Sequence, residues 1–407
     1  MTDFAALRSA VDGLHADQVR FLAELVKVPS DNPPGDCGPH AARAAELLED
    51  LGFTVERHPV PADLVAANGM ISAVNLIVRK RFGDGPVVAL NAHGDVVAPG
   101  DGWSHDPYGA EVVDGVMYGR GVAVSKSDFA TYAFALKALE QAGAALRGTV
   151  ELHLTYDEEA GGAIGPKWLL DSGLSRPDFA VSAGFSYQVV THHNGCLHLE
   201  VTVAGRSAHA ARPDTGHDAL EAATRLLTAL YAMRGRLAER RSAVTGIESP
   251  TLVVGLIEGG INTNVVPDRI TFRLDRRMIP EENPAAVEAE IIAVLDEAAR
   301  ALPGITVTTR RIMLAEPFGP VEGADRLAAA FSTAAETAFG EPVPTVGIPL
   351  YTDARHYAAA GIPTVLYGAG PRSMLDANAH RADEKLVLED LRKATAAVAA
   401  ALAALLG

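Results

Sequence analysis

The stretch "GPVVALNAHGD", residues 85–95, decides how the chain is read. It is an apolar strand that ends abruptly in polar residues, the pattern of a strand buried on both faces. His93 and Asp95 fall just past its carboxyl end. A second stretch repeats the arrangement: "TVELHLTY" (149–156) is a strand, and the loop "DEEAGG" after it carries Glu158 and Glu159. In open α/β sheets ligands bind outside the carboxyl ends of the strands. Two strands therefore deliver His, Asp and a Glu pair to one rim.

Working outward, helices are predicted over 3–27 and 39–51, followed by strands near 52–58 and 73–79. "AEVVDGVMYGRG" reads as a hairpin with Asp-Gly at its turn. Helix 127–143, a short helix and the strand "DFAVSA" (178–183) complete an alternating β/α pattern, which predicts a mostly parallel sheet flanked by helices. Near residue 195 the pattern changes. "CLHLEVTVAG" (196–205) alternates strictly, and helix 217–241, strands near 251–258 and 269–276, helix 284–301 and strand 304–313 follow. Strand–helix–strand–strand–helix–strand is a split βαβ sandwich. The β/α pattern then resumes with helix 323–339, strand "PTVLYG" and helix 385–406. The fold class expected is α/β, with residues 1–194 and 315–407 forming a catalytic domain. An α+β sandwich, residues 195–314, is inserted into it.

The 407 residues are 48% hydrophobic and 21% charged, an ordinary globular composition. A net charge of -16 disfavours nucleic acid as a partner. The two cysteines, Cys37 and Cys196, form no disulfide framework and fit a reducing, cytoplasmic setting. No apolar run reaches the roughly 20 residues that span a bilayer, so no membrane partner is expected.

Adjacent glutamates in a rim loop divide labour well: one ligates a metal while the other moves a proton. Asp95, two residues from His93, suits a partner that orients the imidazole. Beyond these, "NAHGDVVAPGDGWSHDPYGAEVVDGVMYGRG", "TYDEEAGG", "GRSAHAARP", "INTNVVPD", "DRR", "YTDARHYAAAGIPTVLYG" and "NAHRADE" occur in one order. In this the chain resembles the metal-dependent family of acetylornithine deacetylase, succinyl-diaminopimelate desuccinylase, carboxypeptidase G and aminoacylase, from about residue 15 to 400.

The resemblance implies a zinc-peptidase-like catalytic domain with an inserted lid that forms dimers. It implies hydrolysis of an amide beside a free carboxylate at two bridged metal ions. Residue by residue, it makes His93, Glu159 and His380 metal ligands, Asp95 the partner of His93, and Glu158 the general base. His209 would reach the partner subunit's site and stabilise the oxyanion. Asn264, Arg277 and Arg355 would bind substrate, the arginines by gripping its carboxylate in the bidentate manner that suits a guanidinium.

Two positions depart from the family. After the "GRG" turn the bridging Asp is replaced by Val124. After the strand "DFAVSA" the expected acidic ligand is replaced by Gly184, with Phe185 and Ser186 beside it. Two dications roughly 3.5–4 Å apart need anionic ligands between them. The expectation is one divalent transition metal (Zn, Mn or Co) per subunit, held by His93, Glu159 and His380. Two alternatives are a site rebuilt with Asp95, Ser125, Asp128, His192 or His193, and a site with no metal. Asp128 reads as a helix cap, Lys126 as a solvated loop residue, and His40, His153 and His198 as ordinary histidines.

The function expected is a metal-dependent hydrolase of a C–N bond in a small carboxylate-bearing substrate, an N-acyl amino acid or dipeptide. It would work as a homodimer or higher homo-oligomer through the lid. One alternative is an aminohydrolase of a nitro-substituted aminobenzoate, using a wider cavity at Val124 and Gly184. Another is a catalytically silent carboxylate-binding protein.

Overall fold

The structure is a computed structural model, and it describes residues 4–407. In chain order the elements begin with α1 (Phe4–Val26), α2 (Gly38–Asp50), β1 (Val55–Pro59), α3 (Ala62–Ala67), β2 (Val74–Arg81) and β3 (Val87–His93). The hairpin β4 (Glu111–Val113) and β5 (Val116–Tyr118) follows, then α4 (Lys126–Gln141), β6 (Thr149–Thr155), α5 (Pro166–Asp171), β7 (Phe179–Ser182) and β8 (Val189–His193). Next come β9 (Gly195–Ala204), β10 (Ala208–His209), α6 (Ala219–Leu237), β11 (Thr251–Gly259), β12 (Val265–Val266), β13 (Arg269–Met278), α7 (Pro284–Ala299) and β14 (Thr306–Ala315). The chain ends with α8 (Ala324–Phe339), β15 (Thr345–Ile348), α9 (Ala354–Ala359), β16 (Thr364–Leu366), β17 (Lys385–Val387) and α10 (Leu388–Leu406).

The chain divides into two compact units. One holds the chain up to Thr191 together with Pro320–Val346 and Thr352–Gly407; the other holds His192–Gly319 and Gly347–Tyr351. The larger unit is built on an eight-stranded sheet in the order β1-β2-β6-β3-β7-β16-β8-β15. Its centre is parallel, β6 with β3, β3 with β7 and β7 with β16, while β1, β2 and β8 pair antiparallel. The sequence shows why: β3 is buried along nearly its whole length, as a strand covered on both faces must be. Helix α4 is buried on almost every side because it packs between α1 and α10 and against β3.

In the smaller unit β9, β11, β13 and β14 form one antiparallel sheet in the order β11-β13-β9-β14. Leu197, Leu199, Val201 and Val203 of β9 meet α6 and α7 on one face, whereas His198, Glu200 and Thr202 lie on the other.

Several elements differ from expectation. Asp3, the first residue of the expected N-terminal helix, lies outside the described residues. Helix 217–241 is shorter, Ala219–Leu237, because the Asp218 side chain accepts the amides of Leu220 and Glu221 and caps it there. Lys385–Val387, expected as helix, is instead strand β17, paired with β5. That pairing places the "NAHRADE" segment beside the "GRG" turn. The Asp114-Gly115 turn of the β4–β5 hairpin has positive φ at both residues, as a tight two-residue hairpin requires.

Candidate active site

The polar rim forms because β3 and β6 are parallel neighbours that end together, His93 opposite Thr155. His93 is 6% exposed and Asp95 fully buried. The His93 ring nitrogen Nδ1 lies 3.0 Å from the Asp95 carbonyl oxygen and 3.4 Å from its carboxylate. A proton on Nδ1 donates to that carbonyl and leaves Nε2 with the lone pair a metal needs. Nε2 faces Glu158, 4.0 Å away.

Asp95 does more than orient the imidazole. Its two oxygens accept the backbone amides of Glu158 (3.3 Å) and Glu159 (3.1 Å) and the side-chain amide of Asn32 (3.0 Å). One buried carboxylate thus fixes both the histidine and the glutamate loop. No sequence signal marked Asn32.

The ligand atoms of His93, Glu158 and Glu159 all lie within 4.8 Å of one another. His380 joins through Glu159: its Nε2 is 3.3 Å from Oε1. It sits in the left-handed region at φ 61, on a half-exposed loop. The loop is held from below by the buried Arg120–Glu384 ion pair, Nη1 to Oε2 2.6 Å, and Glu384 also accepts the amide of Ala123 (3.0 Å). Arg120 and Glu384 belong to the "GRG" and "NAHRADE" motifs, yet their pairing was not anticipated.

Crowded acids and low exposure shift the titrations. Burial, reinforced by the charges of Glu159 and Asp95 and opposed by His93, pushes the Glu158 carboxyl up to about 8. Burial also works against a charged His93. The hydrogen bond to Asp95 and the charges of Glu158, Asp95 and Glu159 outweigh it and raise that imidazole well above its usual range. His380 is raised chiefly by its hydrogen bond to Glu159.

Around Val124 and Gly184, several of the groups named as replacement ligands have other partners. Val124 is half-buried and brings no donor. The Ser125 hydroxyl accepts the His93 backbone amide at 3.2 Å. Asp128 does not cap α4; it is buried and its Oδ1 accepts the amide of Ala369 at 2.7 Å. His193 hydrogen-bonds through Nδ1 with the Asn194 carbonyl and packs against Phe318. Lys126, expected to be solvated, is fully buried; Nζ donates to the Val28 carbonyl and burial pulls its ammonium down to about 8.

Nor is there a wider cavity at Gly184. A Cβ there would meet the Leu366 Cβ and the Tyr367 nitrogen, both at 2.8 Å. Arg355 is buried, and its guanidinium donates to the carbonyls of Thr352 and Gly161, bracing the loop after Glu159.

In the smaller unit, β10 pairs with β12 and sets His209 opposite Val265, next to Asn264, whose carbonyl accepts the amide of Ala210. His209 is exposed, and its Nδ1 accepts the amide of Ala211 at 3.0 Å, so in the neutral ring the proton sits on Nε2. Arg277 bonds Asp275 through Nε and lies over the ring of Tyr351.

Residues 89–404 match Peptidase family M20/M25/M40. The chain belongs to this family. It is 30% identical over 396 residues to the succinyl-diaminopimelate desuccinylase of Gluconacetobacter diazotrophicus, covering 94% of this chain and 96% of that protein. It is 30% identical over 279 residues to the acetylornithine deacetylase of Erwinia tasmaniensis, 68% of each chain. Its fold matches the YXEP protein of Bacillus subtilis, a dinuclear metal binding peptidase from the M20 family, with a TM-score of 0.70 and 17% identity over 97% of this chain and 99% of that one. The protein is a hydrolase of amide bonds in small acylated amino acids or peptides, in a family of metal-dependent peptidases.

Donor chemistry decides how a metal fits. A neutral imidazole nitrogen and a carboxylate, His93 with Glu159, and His380 beside Glu159, suit a divalent transition ion. Val124 offers no ligand, and a side chain at Gly184 would run into Leu366 and the Tyr367 backbone.

Proposed function

We propose that this protein hydrolyses the amide of a small N-acyl amino acid or dipeptide with a free carboxylate, with one divalent transition metal (Zn, Mn or Co) per subunit held by His93, Glu159 and His380. When bound, the ion supplies Lewis acidity at the scissile carbonyl. The chain's own residues do the rest. Glu158 removes a proton from the attacking water as its oxygen bonds the carbonyl carbon, then passes it to the departing nitrogen as the C–N bond breaks. His209, presented from the lid of a partner subunit, donates its Nε2 proton as a hydrogen bond to the oxyanion. Asn264, Arg277 and Arg355 bind the substrate, the arginines its carboxylate.

The observation that carries this reading is the gathering of Glu158, a carboxyl 13% exposed, with His93 and Glu159 at one rim. The assembly is read as a homodimer through the smaller unit. Its support is the edge strand β11, which leaves Val253, Leu256 and Ile257 each more than half exposed. The cytoplasmic setting rests on the two cysteines, neither in a disulfide.

A panel of N-acetyl and N-succinyl amino acids, with their C-terminal amides as controls, tests the substrate class. Acids should turn over and amides should not. E158Q should lower kcat by about 10²–10⁴-fold while substrate still binds; turnover at the wild-type rate would refute the assignment. The crowding at Gly184 removes one of the supports of the aminobenzoate reading.

A further inference from the structure

We propose that the smaller unit carries a zinc-class metal site of its own, with the Cys196 thiolate, the His198 imidazole and the Asp275 carboxylate as ligands. These residues are distinct from the rim of β3 and β6. Cys196 and His198 are two apart on β9, so they share a face, and the register sets His198 opposite Asp275 on β13. This is the sheet face away from α6 and α7.

The three ligand atoms converge within 4.8 Å of one another. His198 Nε2 lies 2.9 Å, and Cys196 Sγ 3.7 Å, from the same oxygen, Asp275 Oδ2. Around a tetrahedral zinc ion such edges run to about 3.3–3.6 Å, from the Zn–S, Zn–N and Zn–O bond lengths. The two separations to Asp275 Oδ2 need change by only a few tenths of an ångström.

The chemistry selects the ion. One sulfur, one nitrogen and one oxygen suit zinc or its softer analogues and reject magnesium and calcium, which demand oxygen. Thiolate and carboxylate together balance a dication, and coordination releases the thiol proton to solvent without any redox step. Although burial raises Asp275, hydrogen bonds from His198 and Arg277 hold it below the usual carboxylate range, so it presents a charged oxygen. His198 and Asp275 are about one-third exposed, which leaves a path for the ion and a fourth position for water or a ligand.

Arg277 bonds both Asp275 oxygens, Oδ1 at 3.0 Å and Oδ2 at 3.2 Å. With Oδ2 given to the ion, Nε stays on Oδ1, and the carboxylate links metal and guanidinium. Occupancy of the site would thus bear on Arg277, one of the proposed carboxylate-binding arginines.

The test uses the full chain, stripped by chelator and titrated with Cd²⁺ or Co²⁺. A thiolate-to-metal charge-transfer band should appear, persist in C37S and in E159Q, and vanish in C196S. H198A and D275N, at half-exposed positions that spare the core, should weaken the Cd²⁺ affinity at least about tenfold. Dialysed against Zn²⁺, C196S should hold one ion fewer per chain than the wild type. No band in the wild type, or an undiminished one in C196S or in both weaker-binding variants, would overturn the proposal. Circular dichroism confirms that each variant folds. Because E159Q touches only the rim, the band reports this site whether or not the proposed catalytic reading holds.

Discussion

Two neighbouring strand ends in one sheet have opposite characters. β3 and β6 end in His93, Asp95, Glu158 and Glu159, and their loops leave those side chains room to converge. β7, which pairs with β3 on its other side, ends in a segment closed by backbone. There Tyr367 donates to the Ser182 carbonyl, Gly370 to the Gly184 carbonyl, and Ser186 through both amide and hydroxyl to the Gly370 carbonyl. The first end is built to gather charge and the second to exclude side chains. In the proposed single-ion site, metal number depends on whether a strand end has space for a ligand, as well as on which residue type stands there.

The largest expected effect tests what holds the charged end together. Arg120 and Glu384 are each almost fully buried and tie the turn before Val124 to the loop bearing His380. Removing one member of a buried pair leaves an uncompensated charge and costs about 3–5 kcal/mol. R120A should lower stability by that order in urea unfolding and, where it still folds, weaken metal retention by freeing the His380 loop. A variant of wild-type stability and metal content would show that the rim holds itself.

The closed end is tested next. In G184A the new Cβ meets Leu366 and Tyr367 at distances real Cβ atoms do not tolerate, so the backbone must shift. The expected cost is about 1–3 kcal/mol. G184D should be destabilised at least as much and should bind no additional ion. V124D, at a half-buried position beside the turn, should tighten the single ion while metal analysis after dialysis still finds one at the rim. A second rim ion in V124D alone would show that residue type, and not space, sets the count.

The sequence made some of this legible and hid the rest for physical reasons. Alternation and apolar runs revealed the mostly parallel sheet and the strictly alternating β9, because burial on two faces or one leaves a period in the residues. His93, Glu158 and Glu159 stood out since a polar group at the end of an apolar strand has few other uses. What side chains do across the fold left no such trace. Asp95 receiving the amides of two glutamates, Lys126 buried under the turn, and Arg355 bracing carbonyls all depend on long-range placement. The short elements β8, β15 and α9 have too few residues to show a period. Cys196, His198 and Asp275 meet only through the register of β9 with β13, which spacing along one strand cannot reveal.

The smallest effect concerns Asp128, which sits near both ends: it follows the Val124 turn and grips Ala369, in the segment that closes over Gly184. Burial pushes its carboxyl up to about 7, partly offset by the Ala369 amide and by His93. The sign follows from proton counts. Between the ordinary carboxylate range and pH 7 the folded chain keeps a proton that the unfolded chain has lost, so stability falls as pH rises through that window. The wild-type melting temperature, measured without added metal, should therefore carry a downward contribution from pH 5 to pH 7.5. D128N retains an oxygen to accept from Ala369 but does not titrate, so its curve should be flatter over the same window. Curves of identical slope would mean that Asp128 is ionised throughout, and that the closed end beside Gly184 is open enough to hydrate a charge.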